Sequence, residues 1–331
     1  MNTLLATILA AILLAVTTAQ GAFTYTTNAD GTDVTITGYS GPNAVVIPST
    51  INDLTVTDIG ETAFFDTDIT SVSIPESVTN IGAASFEDCE DLTNAFLPNT
   101  LVRIGDGAFD QSGLTTITIP KSVTNIGNGS FSACDSLTNV TFEVGLFEIQ
   151  SNLFGGCYGL ANVVIPASIT NIGDSAFGDC DNLTNIFFSG NAPALGQYAF
   201  AIFNAPETGE IPIEYVATAY YLPGTTGWAQ FTSNTFVPAN PSENQDAEFV
   251  PTVLWNPKIQ TTGTNFGVQN GQYGFDVTAT TNLPVAIEAC DDLTQSNWVV
   301  LQRLILTNGL YHFSEPFDTN KPTRFYRIGF P

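Results

Sequence analysis

A single phrase recurs along this chain, and its spacing constrains the fold more than any other feature. Residues 78–94 read VTNIGAASFEDCEDLTN, and residues 123–139 read VTNIGNGSFSACDSLTN. The phrase brings seven phenylalanines into register at intervals of 22 or 23 residues: Phe64, Phe86, Phe109, Phe131, Phe154, Phe177 and Phe200. A fixed period of this length predicts a solenoid, in which stacked units share one continuous core.

Within one unit, the sequence predicts a strand, a bend and a turn. The segment LTTITIP (114–120) alternates β-branched residues and closes with proline, which predicts a short strand with Ile117 and Ile119 facing inward. Val123 and Ile126 are expected to face inward after it. The segment NGSFSAC (128–134) is too short for a free helix, so a helical or 3₁₀ turn is predicted there.

The pattern L-x-x-I-x-I-P followed by V-x-x-I-G-x-x-A-F-x-x-C resembles the BspA-like class of bacterial leucine-rich repeats over residues 46–190. The resemblance implies a mainly β, right-handed leucine-rich-repeat solenoid of about six units. Glu143 replaces the strand-ending proline, Gln150 replaces the glycine, and Thr67 and Ser112 replace the cysteine. A bend is expected at the unit that contains Glu143.

The N-terminus reads as a secretory signal peptide over residues 1–19. Its run from Leu4 to Val16 is almost wholly apolar, and Thr17 and Ala19 occupy the small-residue positions before the predicted cleavage site. No basic residue precedes the run. After cleavage the chain is expected to be secreted or displayed at the cell surface, without insertion into a membrane.

The repeats are flanked by segments of different character. Residues 20–45 predict a hairpin cap around the turn at 28–31, and residues 191–240 predict an aromatic C-terminal cap. Residues 241–257 predict an exposed linker. Short alternating runs over residues 258–331 predict five to seven strands in a small antiparallel β-sandwich domain.

The charge balance limits the partners. Lys and Arg number 7 against 32 Asp and Glu, which gives a net charge of −25. Such a chain repels phosphate backbones and anionic lipid headgroups, so neither nucleic acid nor a membrane surface is an expected partner. No Asp-x-Asp-x-Asp-Gly loop of the calcium-binding kind is present.

The cysteines are expected to form a ladder of buried free thiols. Cys89, Cys134, Cys157 and Cys180 each follow a register phenylalanine by three residues. Equivalent residues of stacked strands lie about 4.8 Å apart with parallel side chains, whereas a disulfide needs converging ones. The alternative is a Cys134–Cys157 or Cys157–Cys180 bridge. Cys290 is expected to be buried in the tail domain.

The sequence offers little for catalysis. His312 is the only histidine, and a structural or solvent-facing role is its expected one. Two carboxylate pairs, Asp88 with Glu90 and Asp179 with Asp181, fall in polar turns. Zinc ligands and a glycine-rich phosphate loop are lacking. The chain is therefore predicted not to be an enzyme and to need no metal or cofactor.

The remaining candidate for a functional site is the outward face of the first strand in each unit, here called the strand face. Its first column comprises Ser71, Asn94, Thr116, Asn139, Asn162 and Asn185, and its second Ser73, Phe96, Thr118, Thr141, Val164 and Phe187. Outward Phe96, Val164 and Phe187 can mark a binding site, or they can merely cover neighbouring strands. The asparagines can likewise bind a ligand or hydrogen-bond to one another along the stack.

Two functions are compatible with these features. The first is a non-enzymatic binding protein that recognises protein or glycan through the strand face and is monomeric in isolation; the resemblance implies adhesion for some family members. The alternative is a passive component of an extracellular or envelope assembly, attached through the tail domain, where Lys321, Arg324 and Arg327 cluster. A glycan hydrolase ranks third.

Overall fold

The computed structural model of the protein describes residues 22–143, 145–203, 213–214, 217–232, 250–294, 297–318 and 323–330. The predicted signal peptide lies outside the described residues, as do Lys321 and residues 241–249 of the predicted linker. The chain divides into two compact units. The first comprises residues 1–219 and 226–252, and the second comprises residues 220–225 and 253–331.

The first unit opens with an antiparallel hairpin of β1 (Ala22–Thr27) and β2 (Asp33–Ser40), as predicted. Short strands then follow in chain order: β3 (Ala44–Val46), β4 (Thr50–Ile51), β5 (Leu54–Ile59), β6 (Ser71–Ser73), β7 (Asn80–Ile81), β8 (Asn94–Phe96), β9 (Arg103–Ile104), β10 (Thr116–Ile119), β11 (Asn125–Ile126), β12 (Asn139–Phe142), β13 (Glu148–Ile149), β14 (Asn162–Ile165), β15 (Asn171–Ile172), β16 (Asn185–Phe188) and β17 (Ala194–Leu195). This is a solenoid of about seven turns, mainly β, as the sequence predicted.

Two sides of each turn are strands that pair in parallel with their equivalents in neighbouring turns. The strand face lies on the side built from β3, β6, β8, β10, β12, β14 and β16, and its strands pair in the sets β3-β6-β8, β10-β12 and β14-β16. The second side pairs β5-β7-β9-β11 and β13-β15-β17. Ile117 and Ile119 are buried, as are Val123 and Ile126, which confirms the predicted inward positions.

The third side of each turn is a hydrogen-bonded turn without a helix, in which the Ser132 N–H donates to the Gly129 carbonyl at 3.0 Å, the i→i+3 bond of the predicted 3₁₀ turn. Its backbone amides bond outward to the next turn: the Phe131 N–H donates to the Leu153 carbonyl at 3.0 Å, and the Ala133 N–H donates to the Gly155 carbonyl at 2.7 Å. Ala133 takes a positive φ of 49°, which rotates its neighbours toward the adjacent turn. Bonds within the segment and bonds to the next turn therefore share the backbone amides of this side.

The seven register phenylalanines form one column of stacked rings through the core. All are buried, and successive ring centroids lie between 4.8 Å for Phe64–Phe86 and 5.6 Å for Phe131–Phe154. Tyr39 of the hairpin continues the column, with its ring centroid 5.5 Å from that of Phe64. The hairpin therefore covers the first ring of the stack.

Glycine at the bend allows consecutive turns to approach closely. A Cβ on Gly105 would lie 2.5 Å from the Ala83 nitrogen, and one on Gly127 would lie 2.3 Å from the Asp106 nitrogen. Gln150 takes this place in the turn where a bend was expected. Pairing on the second side stops between β11 and β13 at this turn, and the widest ring spacing, Phe131–Phe154, spans the same two turns.

Beyond the repeats, the regular pattern of strands ends. Strands β18 (Ile202–Phe203) and β19 (Ile213–Glu214) pair antiparallel, and β20 (Thr218–Tyr221), helix α1 (Ala229–Thr232) and β21 (Thr252–Leu254) follow. The Trp228 and Phe231 rings contact the Phe188 ring edge-on at 5.1 and 5.5 Å. These aromatic side chains cover Phe188 in the last strand of the strand face.

The second unit contains two antiparallel sheets. The strands are β22 (Lys258–Gln260), β23 (Gly267–Gln269), β24 (Gln272–Thr278), β25 (Leu283–Cys290), β26 (Val299–Leu306), β27 (Leu310–Pro316) and β28 (Phe325–Gly329). One sheet groups β22, β23 and β27 around β24, and the other has the order β26-β25-β28. The Phe275 and Tyr326 rings pack across the two sheets with centroids 5.3 Å apart. Trp255 is buried and donates its indole N–H to the Pro284 carbonyl at 2.9 Å, although an exposed linker was predicted there.

No helix among the described residues is long and apolar enough to cross a membrane.

Candidate ligand-binding face

The structure brings the predicted residues of the strand face into two columns. In the first column Ser71 pairs with Asn94, Thr116 with Asn139, and Asn162 with Asn185. In the second column Ser73 pairs with Phe96, Thr118 with Thr141, and Val164 with Phe187. The alternation of β-strands places both columns on the side opposite to the core.

Most of these side chains are open to solvent. Phe96 is 65% exposed and Val164 is 38% exposed, as expected of outward apolar residues. Val46 pairs with Ser73 and extends the second column by one turn, with 67% of its surface exposed. Val46 was not among the predicted residues because it lies 27 residues before Ser73, outside the 22–23-residue period, although the segment AVVIP carries the same strand signal.

Phe187 is the exception. It was predicted to be exposed, but its side chain is fully buried. The prediction extended the outward position to the last turn, where no further repeat strand follows. There the Thr218 N–H donates to the Thr184 carbonyl at 2.8 Å, so chain from beyond the repeats runs beside the last strand. Phe187 therefore belongs to the covered end of the solenoid, and the exposed face ends at β14.

A groove of about 250 Å³ lies beside Phe96 on the strand face. It is found where the pairing of strands is interrupted between β8 and β10. Its lining combines one exposed ring with amide, hydroxyl and carboxylate groups, contributed by Asn94, Ala95, Phe96, Leu97, Asn99, Thr116, Thr118, Pro120 and Glu143. Asn99 and Glu143 were not among the predicted site residues, because they lie outside the two columns.

Glu143 enters the groove because it replaces the strand-ending proline. Its backbone N–H, which a proline would lack, donates to the Ile119 carbonyl at 2.9 Å. Its carboxylate accepts the backbone N–H of Lys121 at 3.3 Å. These two bonds fix an acidic group at the edge of a surface whose central feature is the Phe96 ring.

The asparagine column does not form a continuous ladder. Asn185 donates to the Asn162 side-chain oxygen at 2.7 Å, so this pair bonds along the stack. The Asn94 amide instead donates to the Thr93 hydroxyl at 3.0 Å, and the Asn139 amide lies 3.4 Å from the Thr141 hydroxyl. Mutual hydrogen bonding therefore accounts for the last two asparagines of the column and not for Asn94, which lines the groove.

The cysteines are free buried thiols, as predicted. Each of the four repeat thiols donates to the carbonyl of the register phenylalanine one turn earlier; Cys134 reaches the Phe109 oxygen at 3.2 Å and Cys180 reaches the Phe154 oxygen at 3.1 Å. Burial raises the pKa of both thiols to about 12. A thiol with so high a pKa is a poor nucleophile at neutral pH, so the ladder stabilises the stack and forms no reactive site.

His312, the only histidine of the chain, pairs with a carboxylate in the tail. His312 lies half-exposed on β27, with its Nδ1 2.8 Å from the Asp276 carboxylate on the paired strand. Asn265 and then His312 hold the pKa of Asp276 below its usual value through hydrogen bonds. Across the described parts of the chain, no three His, Cys, Asp or Glu side chains converge on a possible metal position.

Of the predicted basic cluster in the tail, the structure describes Arg324 and Arg327, and both contact acidic residues. Arg324 lies 2.9 Å from Glu315 and 3.4 Å from Asp291. Arg327 lies 2.5 Å from Glu288 and stacks over the Trp298 ring at 4.3 Å. Both guanidinium groups are thus paired within the domain, which weakens the electrostatic attachment expected from the sequence.

A family of bacterial repeat proteins and several solved structures are similar to this chain. The family described as "BspA type Leucine rich repeat region" matches residues 57–184 and 102–215, with six copies of the repeat. A leucine-rich repeat protein of T. pallidum is 32% identical over 53% of this chain and 83% of that chain, with a TM-score of 0.45. One from Bacteroides capillosus is 32% identical over 37% of this chain and 94% of that chain, with a TM-score of 0.32.

A third solved structure, described as a leucine rich cell surface protein from Faecalibacterium prausnitzii, is 19% identical over 51% of this chain and 87% of that chain, with a TM-score of 0.20. The curated proteins contain no match to the chain. The chain belongs to the BspA-type leucine-rich repeat family. Its class is that of binding or surface proteins, whose repeats are generally non-enzymatic scaffolds.

Proposed function

We propose that this protein is a secreted or surface-displayed, non-enzymatic binding protein that recognises protein or glycan through the strand face. The observation that carries the proposal is the groove beside Phe96. An aromatic ring left exposed next to amide, hydroxyl and carboxylate groups is the composition of a binding hot spot. The remaining exposed positions of the two columns extend the same surface over several turns.

Location outside the cell is part of the same proposal. The N-terminal apolar run has the length and small-residue end of a secretory signal. A structural neighbour is described as a cell surface protein. Detection of the chain in the medium or on intact cells with an antibody, and N-terminal sequencing that begins after Ala19, would support it; retention of the intact N-terminus inside the cell would contradict it.

The binding proposal is tested with glycan and protein arrays probed with the whole chain. Phe96→Ser is expected to weaken capture of the ligand about tenfold, because a hot-spot contact is typically worth more than 1 kcal/mol. Phe147→Ser is the matched control, since Phe147 is 71% exposed but precedes β13 on the second side of the solenoid. Unchanged capture by Phe96→Ser, or an equal loss in both variants, would reject the strand face as the site.

We also propose that the chain is monomeric in isolation. Outside the tail, Arg103 and Lys121 are the only basic residues, so two copies of the repeats repel each other. Light scattering over a salt series tests this, and a dimer at low salt would favour the assembly role instead.

A further inference from the structure

A second concave site lies in the tail domain, at one end of the two sheets. The pocket has a volume of about 230 Å³ and is lined by Tyr273, Glu315, Pro316, Phe317, Asp318, Arg324 and Tyr326. Tyr273 and Glu315 face each other across β24 and β27, whereas Tyr326 belongs to β28 of the other sheet. The pocket therefore opens where the edges of both sheets meet, a common position for small ligands.

Aromatic rings provide the apolar part of the pocket. The Tyr273 and Tyr326 rings stack across the two sheets with centroids 5.1 Å apart and an angle of 12° between planes. Phe317 follows β27, and 43% of its surface is exposed. Its backbone N–H donates to the Gly271 carbonyl at 2.9 Å, which fixes the loop that carries the ring. The rings thus hold their places without a ligand.

The polar part of the pocket is equally organised. The Glu315 carboxylate accepts the Tyr326 hydroxyl at 2.5 Å and lies 2.9 Å from the Arg324 Nε. Arg324 also lies 3.4 Å from Asp291. These contacts place the Glu315 carboxylate and the Arg324 guanidinium side by side at the pocket before a ligand binds.

The charges restrict the chemistry of the ligand. The carboxylates of Glu315 and Asp318 repel an anion, and the Arg324 guanidinium, 2.9 Å from Glu315, partly neutralises them. A hydroxyl group can donate to the carboxylates and accept from the guanidinium, so it suits both. The exposed Phe317 ring, in turn, can accept the apolar C–H face of a ring-shaped ligand.

We infer that this pocket binds one neutral pyranose unit of a glycan. Its volume is below the 300–1,000 Å³ or so of drug-sized sites, which agrees with a single sugar ring. The inference does not depend on the strand face, because all lining residues belong to the tail unit. The tail would then be a glycan-binding module in its own right.

The test is calorimetric titration of the whole chain with cellotetraose, mannotetraose and N-acetylchitotetraose, with sialyllactose as an anionic comparator and a chitosan tetramer as a cationic one. At least one neutral probe is expected to bind, with the charged probes weaker. Phe317→Ser and Asp318→Asn are expected to weaken binding about three- to tenfold, the range of one aromatic or polar contact. Both residues are exposed, and the melting temperature of each variant checks that it folds.

Phe96→Ser separates this site from the strand face, and it is expected to leave saccharide binding by the tail unchanged. Loss of binding in Phe96→Ser with retention in Phe317→Ser would place the saccharide on the repeats and overturn the inference. Failure of every neutral probe to bind the whole chain would also overturn it. Array capture by the parent chain that is lost in Phe96→Ser would still support the strand face as a binding site, whatever the outcome for the tail. The two proposals can therefore fail separately.

Discussion

At the scale of single residues, the bend glycines set how closely the turns can stack. Gly82 and Gly105 have no side chain because the backbone of the preceding turn occupies the space where one would be. Repetition of Ile-Gly was visible in the sequence, but it indicated only a sharp bend. The closeness of the neighbouring turn, which is the physical reason for the glycine, came from the structure.

Gly105→Ala is expected to destabilise the protein by about 3 kcal/mol, since a methyl group there forces the backbones of two turns apart. Gly31→Ala serves as the comparison, because a Cβ there would meet nothing within 4 Å. Only the positive φ of 75° disfavours alanine at this position, and the expected loss of stability is about 1 kcal/mol. Urea unfolding followed by circular dichroism measures both. Equal losses of stability in the two variants would show that backbone conformation, and not close contact between turns, is the reason for glycine at position 105.

The buried thiols predict how stability depends on pH. The pKa of Cys134 is raised from 9.0 to about 12 in the folded chain, and Cys157 and Cys180 are raised as well. Because folding raises the pKa, the contribution to stability is complete below pH 9 and is lost between pH 9 and about 12. Cys134 and Cys180 should each lower the free energy of unfolding by about 1.4 kcal/mol per pH unit in this window, and Cys157 acts in the same direction.

Urea unfolding at several values of pH tests the slope, with the triple variant Cys134→Ser, Cys157→Ser, Cys180→Ser as control. Serine occupies the equivalent position in one turn, at Ser112, and does not ionise in this range. The variant should show a flatter decline than the parent chain. If the free energy of unfolding fell equally steeply with pH in both chains, ionisation of the thiols would not be the cause of the decline.

At the scale of elements, the column of phenylalanine rings is the main core of the solenoid. Phe131 is fully buried between the rings of Phe109 and Phe154. Phe131→Ala is expected to cost about 3–5 kcal/mol, because the cavity lies inside a continuous stack. Phe147→Ala, at an exposed position, is expected to change stability by less than about 0.5 kcal/mol. Thermal and urea unfolding compare the two, and similar losses would contradict the stacked-core account.

The sequence predicted the repeat register, the inward residues and the thiol ladder because each depends on a pattern that recurs once per turn. Prediction from the sequence failed at positions where the repeat pattern stops. Phe187 keeps the outward position of Val164 but has non-repeat chain beside its strand, and the groove at Phe96 arises from an interruption in pairing that no pattern announces. The pocket of the tail was equally invisible, since its residues come from separate strands.

At the scale of the whole molecule, charge is distributed unevenly. All basic residues except Arg103 and Lys121 lie at or beyond Lys258, whereas acidic residues are spread through the repeats. The folded solenoid concentrates these carboxylates, so their repulsion opposes folding, and salt screens it over about 10 Å at 0.1 M. The melting temperature at pH 7 is therefore expected to rise by about 2 °C or more between 10 and 150 mM NaCl.

The same salt series at a pH close to the isoelectric point of about 4.1 serves as the control. There the net charge approaches zero, and the melting temperature should respond little to salt. A response as large at this pH as at pH 7 would show that salt acts through something other than screening of the carboxylates. Differential scanning calorimetry records both conditions.

The stack of identical rings also allows the solenoid to gain or lose whole turns during evolution. Excising one period would set Phe86 against the ring two turns away in the same orientation, because successive rings stack with nearly parallel planes. Coding segments for near-identical phrases can recombine in frame, so the solenoid can lengthen or shorten by whole turns. Tyr39 would cover the first ring of the stack whatever the count, and Trp228 would cover Phe188 in the last strand of the strand face. Selection can then adjust the reach of the exposed face without redesigning the core.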